Sequence, residues 1–259
     1  MKSRVIKLRV GMPFIIVAVL LVAAAALFAS GAIPGIAAAS SAQRLIPIYN
    51  VDCPDKRISV SFDAAWGNED TQKLIDILEQ FDVKATFFVV GQWVDKYPES
   101  VQALHDAGHE IMNHSDTHPH MPQLSRQQML EEINACNRKI SAITGEAPSL
   151  LRAPYGEYSN ALIEVLDSIG MKCIQWDVDS LDWKELPASE ISDRVLSRVK
   201  PGSIVLFHNA AIHTPEALPT ILESLQSDGY EIVPVSRLIY HSGYTIDNNG
   251  KQFCVEPQG

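Results

Sequence analysis

Positive charge is scarce in this chain, and most of what exists early lies in one short stretch. Of 259 residues, 21 are Lys or Arg against 31 Asp or Glu, and Lys2, Arg4, Lys7 and Arg9 account for four of the 21 and none of the acids. The rest of the chain therefore stands near −14 at neutral pH. That argues against nucleic acid as a partner, because a phosphate backbone rewards Lys and Arg patches. It says little against a neutral glycan, which is held by hydrogen bonds and aromatic stacking. Cysteine is sparse as well: Cys53, Cys136, Cys173 and Cys254 include no CxxC pair, which speaks against a cysteine-built metal knuckle. Internal repeats and low-complexity tracts are also missing, which leaves solenoids and disordered arrays aside.

Charge of either sign is absent from Val10 to Gln43, and Val10–Ala29 is almost wholly apolar. A basic start before a long apolar run is an export signal or a membrane anchor, to be kept out of the fold argument. Some twenty apolar residues in a helix can cross a bilayer, and the run is longer than a signal peptide needs, which favours an uncleaved anchor. Cleavage after Ala37-Ala38-Ala39 is the alternative. Residues 1–39 are thus expected to be signal or anchor, 40–56 a linker, 57–240 a catalytic domain and 241–259 a tail. In an oxidising compartment the four cysteines allow two disulfides in three connectivities. Cys53 and Cys254 bracket the domain, so a bridge clamping its ends is one option, and free thiols are the other.

Past the linker, strand and helix patterns alternate. Arg57–Phe62 alternates Ile58, Val60 and Phe62, and Asp70–Phe81 has helical spacing through Leu74, Ile75, Leu78 and Phe81. Ala85–Val90 is a continuous apolar run suited to a strand buried on both faces. Ser125 is placed to cap a helix running to about Ile143, with Gly145 closing it. Ser203–Phe207 is a further apolar strand. About seven such strand–helix units predict an α/β fold with a parallel sheet covered by helices. Polar residues close several of these strands, and convergence of strand ends on one rim favours a barrel, here a distorted (β/α)7-type barrel behind an N-terminal hydrophobic helix.

Those strand ends carry the chemistry. His114 and His118 stand four apart just after a short strand, and Pro119 argues against a long helix there. Two imidazoles and a carboxylate suit a divalent cation, zinc above all, and leave a position for water. Asp63 closes an apolar strand and can act as a general base, although a turn or cap aspartate looks the same in sequence. His208 closes Leu206-Phe207 in the same way and can protonate a departing amine. Arg152 offers a rigid fork for holding a carboxylate. Trp176, Trp183 and the acids between them place flat apolar faces among carboxylates, a pattern that suits sugar rings.

Together these segments resemble the polysaccharide deacetylases of the NodB-homology type, carbohydrate esterase family 4, from Arg57 to about Val235. Ser61-Phe62-Asp63-Ala64 is similar to the family's first motif, Thr-Phe-Asp-Asp, and makes Asp63 the implied base. His114-Ser115-Asp116-Thr117-His118 is similar to the second, implying His114 and His118 as metal ligands. Arg152-Ala153-Pro154-Tyr155 resembles the third, in which the arginine steadies the base and backbone near Tyr155 binds an oxyanion. Asp182 resembles the carboxylate that orients the acid, Trp176 a groove wall, Leu206 the lining of the acetyl pocket, and His208 the general acid. The resemblance implies a divalent metal, zinc by preference, and an N-acetylated glycan as substrate. The Phe-Asp-Ala-Ala-Trp-Gly wording is similar to the PdaB-type sporulation branch, which implies peptidoglycan of the spore or cell envelope.

One departure stands out. Where the family has a second, metal-binding aspartate, this chain has Ala64. Asp70 or Glu69, just downstream, could supply the third ligand; two histidines and water could hold the metal weakly; or metal binding could be lost. Two rival functions follow: a non-catalytic glycan-binding envelope protein that keeps Trp66, Trp176 and Trp183, and a metal hydrolase of another carbon–nitrogen amide bond.

Overall fold

The computed structural model describes residues 43–255 together with Val17. The chain forms two units, residues 1–44 and 45–259, and the second is described here. The export or anchor segment expected over residues 1–39 lies outside the described residues, apart from Val17. No helix among the described residues is long and apolar enough to cross a membrane.

The strands are β1 (Asn50–Val51), β2 (Arg57–Ala64), β3 (Thr86–Val89), β4 (Glu110–Asn113), β5 (Leu150–Leu151), β6 (Lys172–Cys173), β7 (Val178–Asp179), β8 (Ile204–His208), β9 (Glu231–Ile232), β10 (Tyr244–Ile246) and β11 (Lys251–Cys254). The helices are α1 (Thr71–Gln80), α2 (Gly91–Lys96), α3 (Pro98–Asp106), α4 (Arg126–Thr144), α5 (Asn160–Ser168), α6 (Ala188–Leu196), α7 (Thr214–Ser227) and α8 (Val235–Leu238). The main sheet runs β6-β5-β4-β3-β2-β8-β7, with β9 beside the start of β2, and every pairing in it is parallel. It curls like a barrel but stays open, since β6 and β7 at its two ends are not paired. The observed architecture is therefore a curled parallel sheet with helices on its outside.

Alternation along β2 explains both faces of this sheet. Ile58, Val60, Phe62 and Ala64 point outward into the main core with Leu74, Leu78, Val205, Phe207, Leu218 and Leu222. Phe62 stacks on Phe87 at 4.8 Å and on Phe207 at 5.6 Å between ring centres. The intervening Ser59, Ser61 and Asp63 face into the curl, where the hydroxyls donate to Val233 O and Val205 O, each at 2.7 Å. Such bonds offset the cost of burying polar atoms. Phe88, Met112, Leu150, Ile174 and Ile204 fill the rest of the curl.

The Ser125 cap forms as its sequence predicts: its side chain accepts from Gln128 N, Gln128 reaches back to the Ser125 N–H, and Gly145 ends α4 with a positive φ of 74°. Described residues of the expected linker (40–56) and tail (241–259) pair with one another. β1 pairs in parallel with β11, and β10 pairs antiparallel with β11. Ile48 and Val51 are buried, and single bridges join Ile48 to Ile174 and Asn50 to Ser203. Residues Ile48–Val51 thus bridge the chain just after β6 to the chain just before β8. Strands of two to four residues have too few positions to display a period.

Candidate active site

Parallel register brings the polar strand ends to one rim. Asp63 lies opposite both Phe88 of β3 and His208 of β8. His114 follows directly on β4, Arg152 on β5, and Asp182 lies shortly after β7. Asp63, His114, His118, Tyr155, Trp176, Leu206 and His208 line one cavity of about 450 Å³, together with Ala65, Trp66, Asp179 and Trp183. Arg152 and Asp182 stand immediately behind it. Several loop residues there adopt positive φ without being glycine, among them Ser115 (67°), His118 (59°), Tyr155 (60°), Leu181 (55°) and Ala210 (55°). Local strain of this kind gathers where side chains must be aimed.

Arg152 is wholly buried, and its guanidinium is fully engaged on one side. Nη1 donates to Asp63 Oδ1 at 2.8 Å, and Nη2 donates to Ser61 Oγ at 2.8 Å and to Gln175 O at 3.3 Å. The Phe88 ring lies beneath it, 4.2 Å away. Burial alone would raise the Asp63 carboxyl; the charges gathered around it, from His114, Arg152 and His208, outweigh that and hold it below the ordinary carboxylate range. Asp63 is thereby an ionised carboxylate fixed in place. Its other oxygen, Oδ2, is 3.6 Å from His114 Nε2.

His114 Nδ1 donates to Arg152 O at 2.8 Å, which fixes the tautomer and leaves the Nε2 lone pair turned toward Asp63 and the cavity. Burial holds the His114 imidazole below its ordinary value, and burial together with His114 pushes His118 down to about 4. Both rings are neutral at physiological pH, the form that binds a cation. Their centres are 5.0 Å apart. Asn113 and Glu132 shape the loop between them: Asn113 Oδ1 accepts from Ser115 N at 2.7 Å, and Glu132 accepts from Asp116 N, Thr117 N and the Thr117 hydroxyl.

On the opposite wall His208 Nδ1 donates to Asp182 Oδ1 at 2.8 Å. Asp182 is saturated, since it also accepts from His208 N, Trp183 N and the Thr214 hydroxyl. Burial would lower the His208 imidazole, but the hydrogen bond and charge of Asp182 raise it above its ordinary value. Its Nε2 therefore remains a proton donor toward the cavity at pH values where a free histidine is neutral.

The expected third ligand is not brought to the histidines. Asp70 Oδ2 accepts from Ala210 N at 2.9 Å, and Glu69 Oε2 accepts from Asn68 N at 3.0 Å; neither lines the cavity. Asp70 begins α1 and faces the Asp182 side of the rim, where burial first, and then Glu69 and Asp182, raise its carboxyl. Ala64 points away from Asp63 into the outer core. Among the described residues no group of three or more His, Cys, Asp or Glu side chains is arranged to hold a metal ion. Two neutral imidazoles are donors of the kind a divalent cation such as zinc takes, beside an anionic Asp63, but they supply two of the three protein ligands usual at a catalytic zinc.

Sequence reasoning missed several contributors. Ser61 and Thr214 hold Arg152 and Asp182 in place, and Asp179, one of the acids between Trp176 and Trp183, lines the cavity. Ser61 left a trace, as a polar residue at an inward-facing strand position. Thr214 left none.

The curled parallel sheet thus carries an ionised carboxylate, a histidine held above its ordinary pKa and two neutral imidazoles on one rim. The family model described as polysaccharide deacetylase matches residues 50–174. The peptidoglycan-N-acetylglucosamine deacetylase of Bacillus cereus is 31% identical over 71% of this chain and 69% of its own length. PgdA, the peptidoglycan-N-acetylglucosamine deacetylase of Listeria monocytogenes, is 35% identical over 71% of this chain and 39% of its own. Among solved structures, a pseudoenzyme of carbohydrate esterase family 4 from Bacillus anthracis superposes with a TM-score of 0.73 at 34% identity, covering 75% of this chain and 69% of that one. A mutant of that protein has restored enzymatic activity. This chain belongs to the polysaccharide deacetylase family. It spans 60% or less of the length of the first curated relatives it matches.

Proposed function

We propose that this protein hydrolyses the N-acetyl groups of a cell-envelope polysaccharide, peptidoglycan being the substrate its relatives' names favour. It would act outside the cytoplasm, where that polymer lies, either membrane-anchored or secreted through its N-terminal segment. The observation that carries the reading is the ionised, Arg152-bound Asp63 facing the Asp182-bound His208 across one cavity. A binding module has no use for a fixed base opposite a raised-pKa acid.

Asp63 takes the proton of a water attacking the acetamide carbonyl. The backbone N–H of Tyr155 donates to the oxyanion as the carbonyl becomes tetrahedral. His208 gives its Nε2 proton to the sugar nitrogen as the carbon–nitrogen bond breaks, so acetate and a free amine leave. Leu206, almost fully buried, offers an apolar wall for the acetyl methyl, and Trp176, Trp183 and Trp66 offer flat faces to the sugar. His114 and His118 would hold a divalent cation, zinc being the ion that suits them. When bound it supplies Lewis-acid polarisation and a more acidic water.

A second reading is favoured by Ala64 and by the pseudoenzyme relative: a glycan-binding member that has lost turnover. Acetate release from peptidoglycan and from N-acetylglucosamine oligomers, with divalent metal removed and restored, separates the two. Metal-dependent release supports hydrolysis. Glycan binding with no acetate under any metal condition leaves the second reading.

A further inference from the structure

We propose that Cys53 and Cys254, free thiols in this structure, pair with each other as a disulfide that locks the two ends of the domain. β1 and β11 run parallel with Asn50 opposite Lys251 and Val51 opposite Gln252. The Val51–Gln252 pair is closed by Asp52 N, which donates to Gln252 O at 2.7 Å, and Lys251 Nζ donates to Asp52 Oδ1 at 2.6 Å. Carrying this register forward sets Cys53 beside Cys254. Residues opposite each other in a ladder share a face, with strands about 4.8 Å apart. That spacing lies within the roughly 4.4–6.8 Å between Cα atoms that a disulfide spans.

Tyr240 supports the juxtaposition independently. Its backbone clasps the Gln252 side chain through two hydrogen bonds, and its hydroxyl donates to Asp52 O at 3.0 Å. Cys53 is half-buried and Cys254 exposed, which leaves both open to an oxidant.

The other two cysteines have no such partner. Cys136 lies in the outer core, where its thiol donates to Val89 O at 3.3 Å. Cys173 lies in a different cluster with Leu162, Leu166 and Met171. Burial pushes each thiol up to about 12, which withholds the reactive thiolate.

Bond formation takes two protons and two electrons from the pair. A disulfide oxidant, such as oxidised glutathione or an envelope thiol–disulfide oxidoreductase, accepts them and becomes two thiols. The bridge would close a loop of about 200 residues, and long loops are those whose closure most restricts an unfolded chain. It would also hold the Ile48–Val51 segment beside Ile174 and Ser203, where Val51 O lies so near Gly202 that a Cβ there would clash.

The test is a peptide map of the full chain after treatment with oxidised glutathione, denaturation and iodoacetamide, with and without prior reduction. The expected result is a Cys53–Cys254 linked peptide before reduction only, with Cys136 and Cys173 alkylated in both samples. Alkylation of all four without reduction, linkage through Cys136 or Cys173, or glutathione left on Cys53 and Cys254 separately would each overturn the assignment. Cys53→Ser, Cys254→Ser and the double variant should lower the Tm of the oxidised protein by the same several degrees, matching the reduced wild type. Additive losses would count against a shared bond. None of these outcomes depends on whether the protein turns over acetylated glycan.

Discussion

The two walls of the cavity are built to different standards. On the acid wall, the Asp182 carboxylate meets His208 twice, Trp183 once and Thr214 once, so the imidazole is aimed and its proton held. On the histidine wall, His114 is aimed by Arg152 O, but beyond Asp63 no carboxylate joins the two imidazoles, and Ala64 turns its methyl to the outer core. The difference teaches that the groups proposed for proton transfer and those proposed for holding a metal are supported by separate sets of contacts. The first is completely furnished, and the second rests on two neutral side chains.

The largest effect expected from breaking this arrangement is on the base. Asp63→Asn should lower kcat by about 10²–10⁴-fold, measured as acetate release, while glycan retention in a pull-down persists; an unchanged kcat would remove Asp63 from the chemistry. Arg152→Met leaves Asp63 buried without its cation and should cost about 3–5 kcal/mol of stability. Urea unfolding reads this directly, and a cost near zero would mean that the pair is not formed in solution.

Asp182→Asn sharpens the acid wall. His208 is raised in the folded protein, so its contribution to stability is whole below about pH 6.5 and disappears as pH climbs through the higher folded value. The variant should lose that pH-dependent increment. The alkaline limb of its kcat/KM profile should also move to lower pH, and a limb that stays in place would detach Asp182 from His208.

On the histidine wall, His118→Ala should weaken zinc binding by at least about 10-fold in calorimetry, since one of only two imidazoles is gone. Equal affinity would place the ion elsewhere. Trp183→Ala should give the smallest change, a few-fold rise in KM with kcat preserved, because a stacking face contributes to ground state and transition state alike.

Much of this was legible from residue order. The Phe62–Ala64 strand end, the His114/His118 spacing and the Ser125–Gln128 cap each depend on neighbours within a few positions, so pattern alone reveals them. α2 was hidden because its six residues, opening on Gly91 and Gln92 straight after the apolar run, are too few to display a helical period. β7 has two residues, too few for alternation to register. The β1–β10–β11 sheet was hidden for the same reason, and its partners lie at opposite ends of the domain. Asp70 and Glu69 were reasonable ligands by proximity in sequence, yet the turn into α1 carries Asp70 to Ala210 and away from the histidines.

Residue order by itself therefore determined the main-sheet strands other than β7, the polar groups that end them, and that one acid of the family's pattern is replaced by Ala64. Those follow from local periodicity and side-chain chemistry. Only the folded chain decided which groups meet: Arg152 with Asp63 across 89 positions, Thr214 with Asp182, and the linker with the tail. Parallel register and the curl of the sheet bring distant segments within hydrogen-bond reach, and no short window of sequence carries that information.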